Sequence, residues 1–224
     1  CHSRIKNKYL LLVSLAGLLG WFYSCSEKKK HVLPFIGNYD IVYTRLDGKE
    51  YQDTVYPKVP KFTFLNQDSI KTSSTMFAGK LWVVDFFFTS CPTICPVMTT
   101  NLKKVNHALS RYKSEIQFIS FTINPDYDQP SILRKYRKLH GISATNWSFL
   151  AGDEAKTHQM GIENFQTFAG RDDEAEGGYA HSGAFTLVDK EGYVRGVYLG
   201  TDNQEVKRLI NDVKKLLAYE YGIN

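Results

Sequence analysis

Apolar residues along this chain fall into two kinds of run, and their alternation lays out the elements. Val83 to Phe88, broken only by Asp85, and Ile116 to Ile123 are continuous apolar stretches, the pattern of strands buried on both faces. Between them Met98, Leu102, Val105, Leu109 and Tyr112 fall at steps of four and three, which puts their side chains on one face of a helix. Asp128 and Pro130 open a second helix with Ile132, Leu133, Tyr136 and Leu139 on one face, ended by Gly141. Trp147 to Leu150 reads as a short buried strand or turn, and Asp153 caps a helix reaching about Phe165. Ala169 to Tyr179, with Asp172, Asp173, Glu174, Glu176 and two glycines, reads as a polar loop. Ala184 to Val188 and Tyr193 to Tyr198 are strands joined by a turn at Asp189 to Gly192. Asp202 with Glu205 three residues on is a capping box for the last helix, which buries Val206, Leu209, Ile210, Val213, Leu216 and Leu217.

Upstream, Asp47-Gly48 between Tyr39–Tyr43 and Tyr51–Tyr56 is a hairpin signal, and Phe62, Phe64 and Ile70 around Asn66-Gln67-Asp68 predict a second hairpin. Strand, helix, strand, helix implies a parallel pair with a right-handed crossover. Followed by a β-hairpin and a terminal helix, it predicts an α/β fold with a mixed sheet flanked by helices. That is the element order of a thioredoxin-like domain carrying an extra N-terminal hairpin.

The first residues change the picture of where such a domain resides. Arg4, Lys6 and Lys8 precede an uncharged, Leu-rich stretch from Tyr9 to Cys25, and Glu27 with three lysines follows, which together read as an export signal. Ser24-Cys25 is a candidate lipoprotein site with Cys25 lipidated; alternatively the segment stays as a short N-terminal helix in the membrane. Either outcome places the domain outside the cytoplasm, on the periplasmic side, and near a membrane. The expected organisation is therefore 1–30 as signal or anchor and tether, 31–60 as an extension with a hairpin, and 61–224 as the domain. A net charge of +5 spread over several helices, with aromatics placed as strand core, does not indicate nucleic-acid binding.

Candidate chemistry sits where the first buried strand meets the first helix. Of the four cysteines, Cys1 and Cys25 belong to the N-terminal segment, which leaves Cys91 and Cys95, each followed by proline. Unpaired N–H groups and the helix dipole favour thiolate there, and thiolate is both nucleophile and metal ligand. With three residues between them, the two sulfurs would lie one turn apart on one face if the segment is helical. The bland alternative, two inert buried cysteines, explains neither the prolines nor the strand-end position.

His181, in a glycine-flanked loop just before a buried strand, is the first candidate partner of the thiolates, against its reading as a satisfied polar residue. His107, His140 and His158 lie on or beside helices away from the cysteines in sequence, and Met98 belongs to the apolar stripe. Two thiolates and an imidazole suit Cu(I), and accept Cu(II) with added ligands. Structural zinc normally takes four protein ligands, and iron–sulfur clusters need more cysteines. A thiol-disulfide oxidoreductase, with Cys91 and Cys95 as its redox pair, usually has two residues between them. Phe88-Thr-Ser-Cys-Pro-Thr also resembles the peroxidatic loop of peroxiredoxins, whose chemistry needs an arginine at the thiolate; Arg134, Arg171 and Arg195 are the candidates.

At these residues the chain resembles the Sco/SenC family, from about Pro60 to the C-terminus. The resemblance is carried by Cys91-Pro-Thr-Ile-Cys95-Pro96, by Phe121-Thr-Ile-Asn-Pro125 through Asp128-Gln-Pro130, by His181-Ser182, and by the run at Phe62. It implies a thioredoxin fold and copper binding by Cys91, Cys95 and His181. It also implies a part in assembling the dinuclear copper centre of cytochrome c oxidase, by delivering metal to the copper-accepting subunit or by reducing its cysteines as a thiol-disulfide partner. Asn124 and Ala180 stand where the family commonly has Asp, so the support of the histidine is expected to differ.

Overall fold

The computed structural model describes residues 31–175 and 177–223. The segment read as an export signal or anchor, with Cys1 and Cys25, lies outside the described residues. Among those described, no helix is long and apolar enough to cross a membrane.

The doubly apolar runs form the middle of a seven-stranded sheet. β5 (Leu81–Phe87), β6 (Ile116–Thr122) and β7 (Trp147–Ala151) are parallel neighbours. β10 (Ala184–Val188) runs antiparallel to β5, and β11 (Val194–Leu199) antiparallel to β10. On the other side β3 (Thr63–Asn66) pairs with β7, and β4 (Lys71–Ser73) closes that edge, giving the order β11-β10-β5-β6-β7-β3-β4. The helices are α1 (Ile94–Ala108), α2 (Pro130–Leu139), α3 (Glu154–Asn164) and α4 (Asn203–Lys215). Successive residues of β5 point to opposite faces, and each face is covered: Phe87 packs on Tyr136 of α2, Phe86 on Phe165 just after α3. This is the predicted mixed sheet flanked by helices, in the thioredoxin-like arrangement.

The N-terminal hairpin forms as β1 (Asp40–Leu46) and β2 (Lys49–Val55), closed by Asp47 and Gly48 at φ 49° and 74°. Positive φ at both turn positions is what a two-residue hairpin loop needs. Every residue of both strands is exposed, so the pair forms its own small sheet.

Several local readings are corrected. Leu139 is 82 % exposed rather than buried, because Gly141 at φ 60° turns the chain and brings Ile142 into the core in its place. Asp128 does not open α2. Gln129 is its N-cap and Pro130 its first residue, while Asp128 turns inward, fully buried. The stretch 169–179 is more than a loop: β8 (Ala169–Arg171) pairs with β9 (Tyr179–His181) as a two-stranded ribbon. Only half of the capping box forms, since Asp202 accepts from the N–H groups of Gln204 and Glu205 whereas the Glu205 carboxylate pairs with Arg208. Tyr112 is not in the first helix, which ends at Ala108 and continues as a separate short turn.

A buried ion cluster fixes where the described chain enters the sheet. Arg195 of β11, 2 % exposed, donates to Asp189 at 2.9 Å, to Glu220 at 2.7 and 3.0 Å, and to the carbonyls of Leu33 and Pro34 at 2.6 and 3.1 Å. Glu220 also accepts the N–H of Val32 at 2.8 Å, and Ile36 N–H donates to Val194 O at 2.9 Å. Removing one member of a buried, hydrogen-bonded charge pair strands the other without solvent. Glu220→Ala is therefore expected to cost about 3–5 kcal/mol in urea unfolding, and to speed hydrogen exchange at the Val32 amide.

Candidate metal centre

β5 ends in a loop whose anchors come from the neighbouring crossover. Thr89 donates to Asp128 through its N–H at 3.0 Å and through its hydroxyl, and Thr122 Oγ1 donates to the same carboxylate at 2.5 Å. Burial raises the Asp128 pKa while these donors oppose the rise. Asp128 thus ties the start of the cysteine loop to the end of β6. Cys91 lies in the turn that follows, its N–H donating to Phe88 O at 3.3 Å, and Cys95 lies in the first turn of α1. The expected arrangement of both cysteines on one helical face is corrected here, since Cys91 precedes the helix. Pro96 occupies the first helical turn, where its missing N–H costs no hydrogen bond.

His181 arrives from the far end of the chain. β10 pairs with β5 in the register Phe185↔Asp85, so the residues just before β10 lie beside those just after β5. His181, the last residue of β9, places Nε2 3.1 Å from Cys95 Sγ. The two sulfurs and an imidazole nitrogen all lie within 4.8 Å of one another, and both thiols are free. A cavity of about 170 Å³ opens onto Cys91 and His181, lined also by Phe88, Thr93, Ile94, Tyr179 and Ala180 among others. Three soft-to-borderline ligand atoms this close together fit a copper ion.

The two thiols are not equivalent. The Cys91 pKa is lowered, chiefly by the neighbouring Cys95 and then by His181, against the opposing effect of burial. The Cys95 pKa is raised, by the neighbouring Cys91 and by burial. The sequence placed both sulfurs where thiolate is favoured; their surroundings favour it at Cys91 and oppose it at Cys95.

The other sequence candidates lie elsewhere. His140 packs against the Tyr136 ring with centroids 4.2 Å apart, His158 bonds Ile123 O at 2.8 Å, His107 is near the end of α1, and Met98 is core. Arg134 pairs with Asp68, Arg171 with Glu154, and Arg195 with Asp189 and Glu220. None of the three lines the cavity at Cys91, so among the described residues no arginine lines it. Asn124 bonds within its own loop through its carbonyl to Asp128 N–H. The Ala180 side chain offers no acceptor, and His181 Nδ1 is buried without a hydrogen-bond partner among the described residues.

Similarity to known proteins falls on this same region. A family model described as SCO1/SenC matches residues 50–218, which include both cysteines and His181. The chain belongs to the SCO1/SenC family. Among solved members, a SCO1/SenC family lipoprotein from Bacillus anthracis is 33% identical with a TM-score of 0.65, covering 71% of this chain and 94% of its own. BsSco, a member of the Sco family of cytochrome c oxidase assembly proteins in which a disulfide switch was identified, is 32% identical with a TM-score of 0.63, over 70% and 91%. Copper-bound ScoI from Bradyrhizobium japonicum, 18% identical with a TM-score of 0.59 over 71% and 99%, shares the fold.

Beneath the cysteines lies a buried carboxyl, visible in the sequence as the lone break in the β5 run. Asp85, 3 % exposed, accepts from Ser120 Oγ at 2.5 Å, and Ser120 Oγ in turn accepts from Trp147 Nε1 at 2.8 Å. Burial pushes its pKa up to about 7. The folded state therefore holds a proton that the unfolded chain releases near pH 4, so this contribution is present at acid pH and lost as pH rises through about 7. The displacement corresponds to at most about 4 kcal/mol. Asp85→Asn, which keeps an acceptor for Ser120, is expected to match the parent at pH 4 and exceed it in stability at pH 8, as read by denaturant unfolding at both pH values.

Proposed function

We propose that this Sco protein binds copper through Cys91, Cys95 and His181 and serves in assembling the dinuclear copper centre of cytochrome c oxidase. The observation that carries the ligand assignment is the convergence of two free thiols and one imidazole within 4.8 Å. Sulfur-rich, three-atom sites favour Cu(I), and the protein's copper-accepting partner is the oxidase subunit that receives the metal. Support for copper comes from copper-bound ScoI, and support for oxidase assembly from the description of BsSco.

Cys91 and Cys95 are ligands when reduced and a disulfide when oxidised, so metal loading and redox state are coupled. The unequal thiols favour a second reading, a thiol-disulfide oxidoreductase. In that reaction the Cys91 thiolate attacks a partner's disulfide and releases one partner thiol. Cys95 then gives up its proton, attacks the mixed disulfide and releases the second, leaving the chain oxidised and the partner reduced. The disulfide switch described for BsSco supports a redox-active pair.

The location belongs to the same reading: an extracytoplasmic, periplasmic-side domain held to the membrane by segment 1–30, as a helix or through lipid on Cys25, with 31–60 as extension and 61–224 as the functional domain. The lipoprotein description of the Bacillus anthracis relative supports it.

Anaerobic titration of the reduced full chain is expected to give one tightly held Cu(I) per chain. Cys91→Ser and Cys95→Ser are expected to lose it, and His181→Ala to weaken it by at least about tenfold, about 1.4 kcal/mol. Unchanged stoichiometry in Cys91→Ser refutes the ligand assignment. Full disulfide exchange by His181→Ala without copper, with no specific copper binding in the parent, moves the protein to the oxidoreductase reading.

A further inference from the structure

A histidine that binds metal through one nitrogen ordinarily has the other fixed by a carboxylate or carbonyl, which sets its tautomer and the plane of the ring. His181 lacks that support: with Nε2 turned to Cys95, its Nδ1 is buried and unpartnered among the described residues. The orientation of the ring must come from the backbone that carries it. That backbone is the β8–β9 ribbon, with rungs Arg171↔Tyr179, Gly170↔Ala180 and Ala169↔His181. A two-stranded ribbon is marginal unless something else holds it.

Two things hold this one. Tyr179 and His181, two residues apart and so on one face, both lie against Phe88 at the end of β5, with ring centroids at 5.5 and 6.1 Å. At the other end stands Glu154, in the first turn of α3. Its carboxylate accepts from Arg171 Nε at 2.6 Å and Nη2 at 2.8 Å, and from Tyr179 Oη at 3.4 Å. Arg171 and Tyr179 form one rung, so a single carboxylate grips both strands at the same level. The guanidinium also lies 5.5 Å from the Tyr179 ring. The next turn of α3 is tied to the central sheet, since His158 bonds Ile123 O at 2.8 Å just beyond β6. Glu154 therefore connects the ribbon to a fixed part of the domain.

We propose that Glu154 is a positioning residue for His181: through Arg171 and Tyr179 it clasps the ribbon so that the imidazole stays within reach of a metal on Cys91 and Cys95. It does from the ribbon what a carboxylate on Nδ1 does in other sites. The proposal rests on the reading of His181 as a metal ligand. The clasp is a paired, two-point Arg–carboxylate contact, stronger in geometry than a single surface ion pair.

The test uses the reduced full chain and its variants Glu154→Ala, Arg171→Ala, His181→Ala and Glu154→Ala/His181→Ala. Cu(I) affinity is read by competition with a chromophoric Cu(I) chelator, and the thiolate-to-Cu(II) absorption by visible spectroscopy. Hydrogen exchange of the Tyr179–Ser182 amides is followed without metal. Glu154→Ala is expected to weaken Cu(I) about tenfold, the low end for loss of an outer partner, to move the Cu(II) absorption toward that of His181→Ala, and to speed exchange in the ribbon. Arg171→Ala, which cuts the same contact at a largely exposed side chain, should do likewise and keeps the test open should Glu154→Ala not fold. The decisive result is the double variant, expected to bind no more weakly than His181→Ala alone, because Glu154 acts only through that ring. Parent-like copper binding in both clasp variants, beside a weakened His181→Ala, overturns the clasp and leaves the ligand reading intact. A further tenfold loss in the double variant also overturns it, since the effect is then general. Parent-like affinity in His181→Ala removes the ligand reading and the proposal with it.

Discussion

The pairing of β10 with β5 is the constraint on which the site depends. β5 delivers the cysteine loop at its end, and β10 begins where His181 has just been passed. The register Phe185↔Asp85 sets how far each chain end projects beyond the other. A slip of one residue would turn the whole apolar set of β10, buried at every position, through to the wrong face. Because both faces of these strands are packed, the register has little freedom, and the approach of His181 to Cys95 inherits that rigidity.

On this frame, proton placement decides the chemistry. The two thiols are driven apart: the contact between them lowers the pKa of Cys91, and that contact together with burial raises the pKa of the more buried Cys95. Asp85 below them is kept close to neutral by burial, and its charge, where it forms, further disfavours a thiolate at Cys95. Asp128 serves a different end, spending its acceptor sites on Thr89 and Thr122 to moor the loop. Two carboxyls, one in β5 and one in the loop after β6, thus have separate tasks, one electrostatic and one positional. With alanine at position 180 and Nδ1 of His181 unpartnered among the described residues, the orientation of the ring falls, in the proposal above, to the packing and clasp of its ribbon.

What the sequence by itself determined is the set of elements and the place of the cysteines. Burial on both faces shows as an unbroken apolar run, a buried helical face as steps of three and four, and a tight hairpin as Asp-Gly. Each is written in neighbouring residues, so β5, α1, β6 and the β1–β2 turn were legible, and so was the strand-end position of Cys91 and Cys95. His181 was a candidate from its glycine-flanked place before a buried strand, and the family motif then matched His181-Ser182. Failures came where a residue's role depends on distant groups. Asp128 looks like a helix opener until Thr89, 39 residues away, claims it, and Leu139 looks buried until Gly141 turns the chain. Arg171 and Glu154 are separated by 17 residues, and Arg195 reaches carbonyls 161 and 162 residues upstream, with no local pattern to mark either. Tertiary structure alone decided these, along with the unequal thiols, because burial and charge at a point are sums over every element packed there, whereas periodicity records only the side a residue faces.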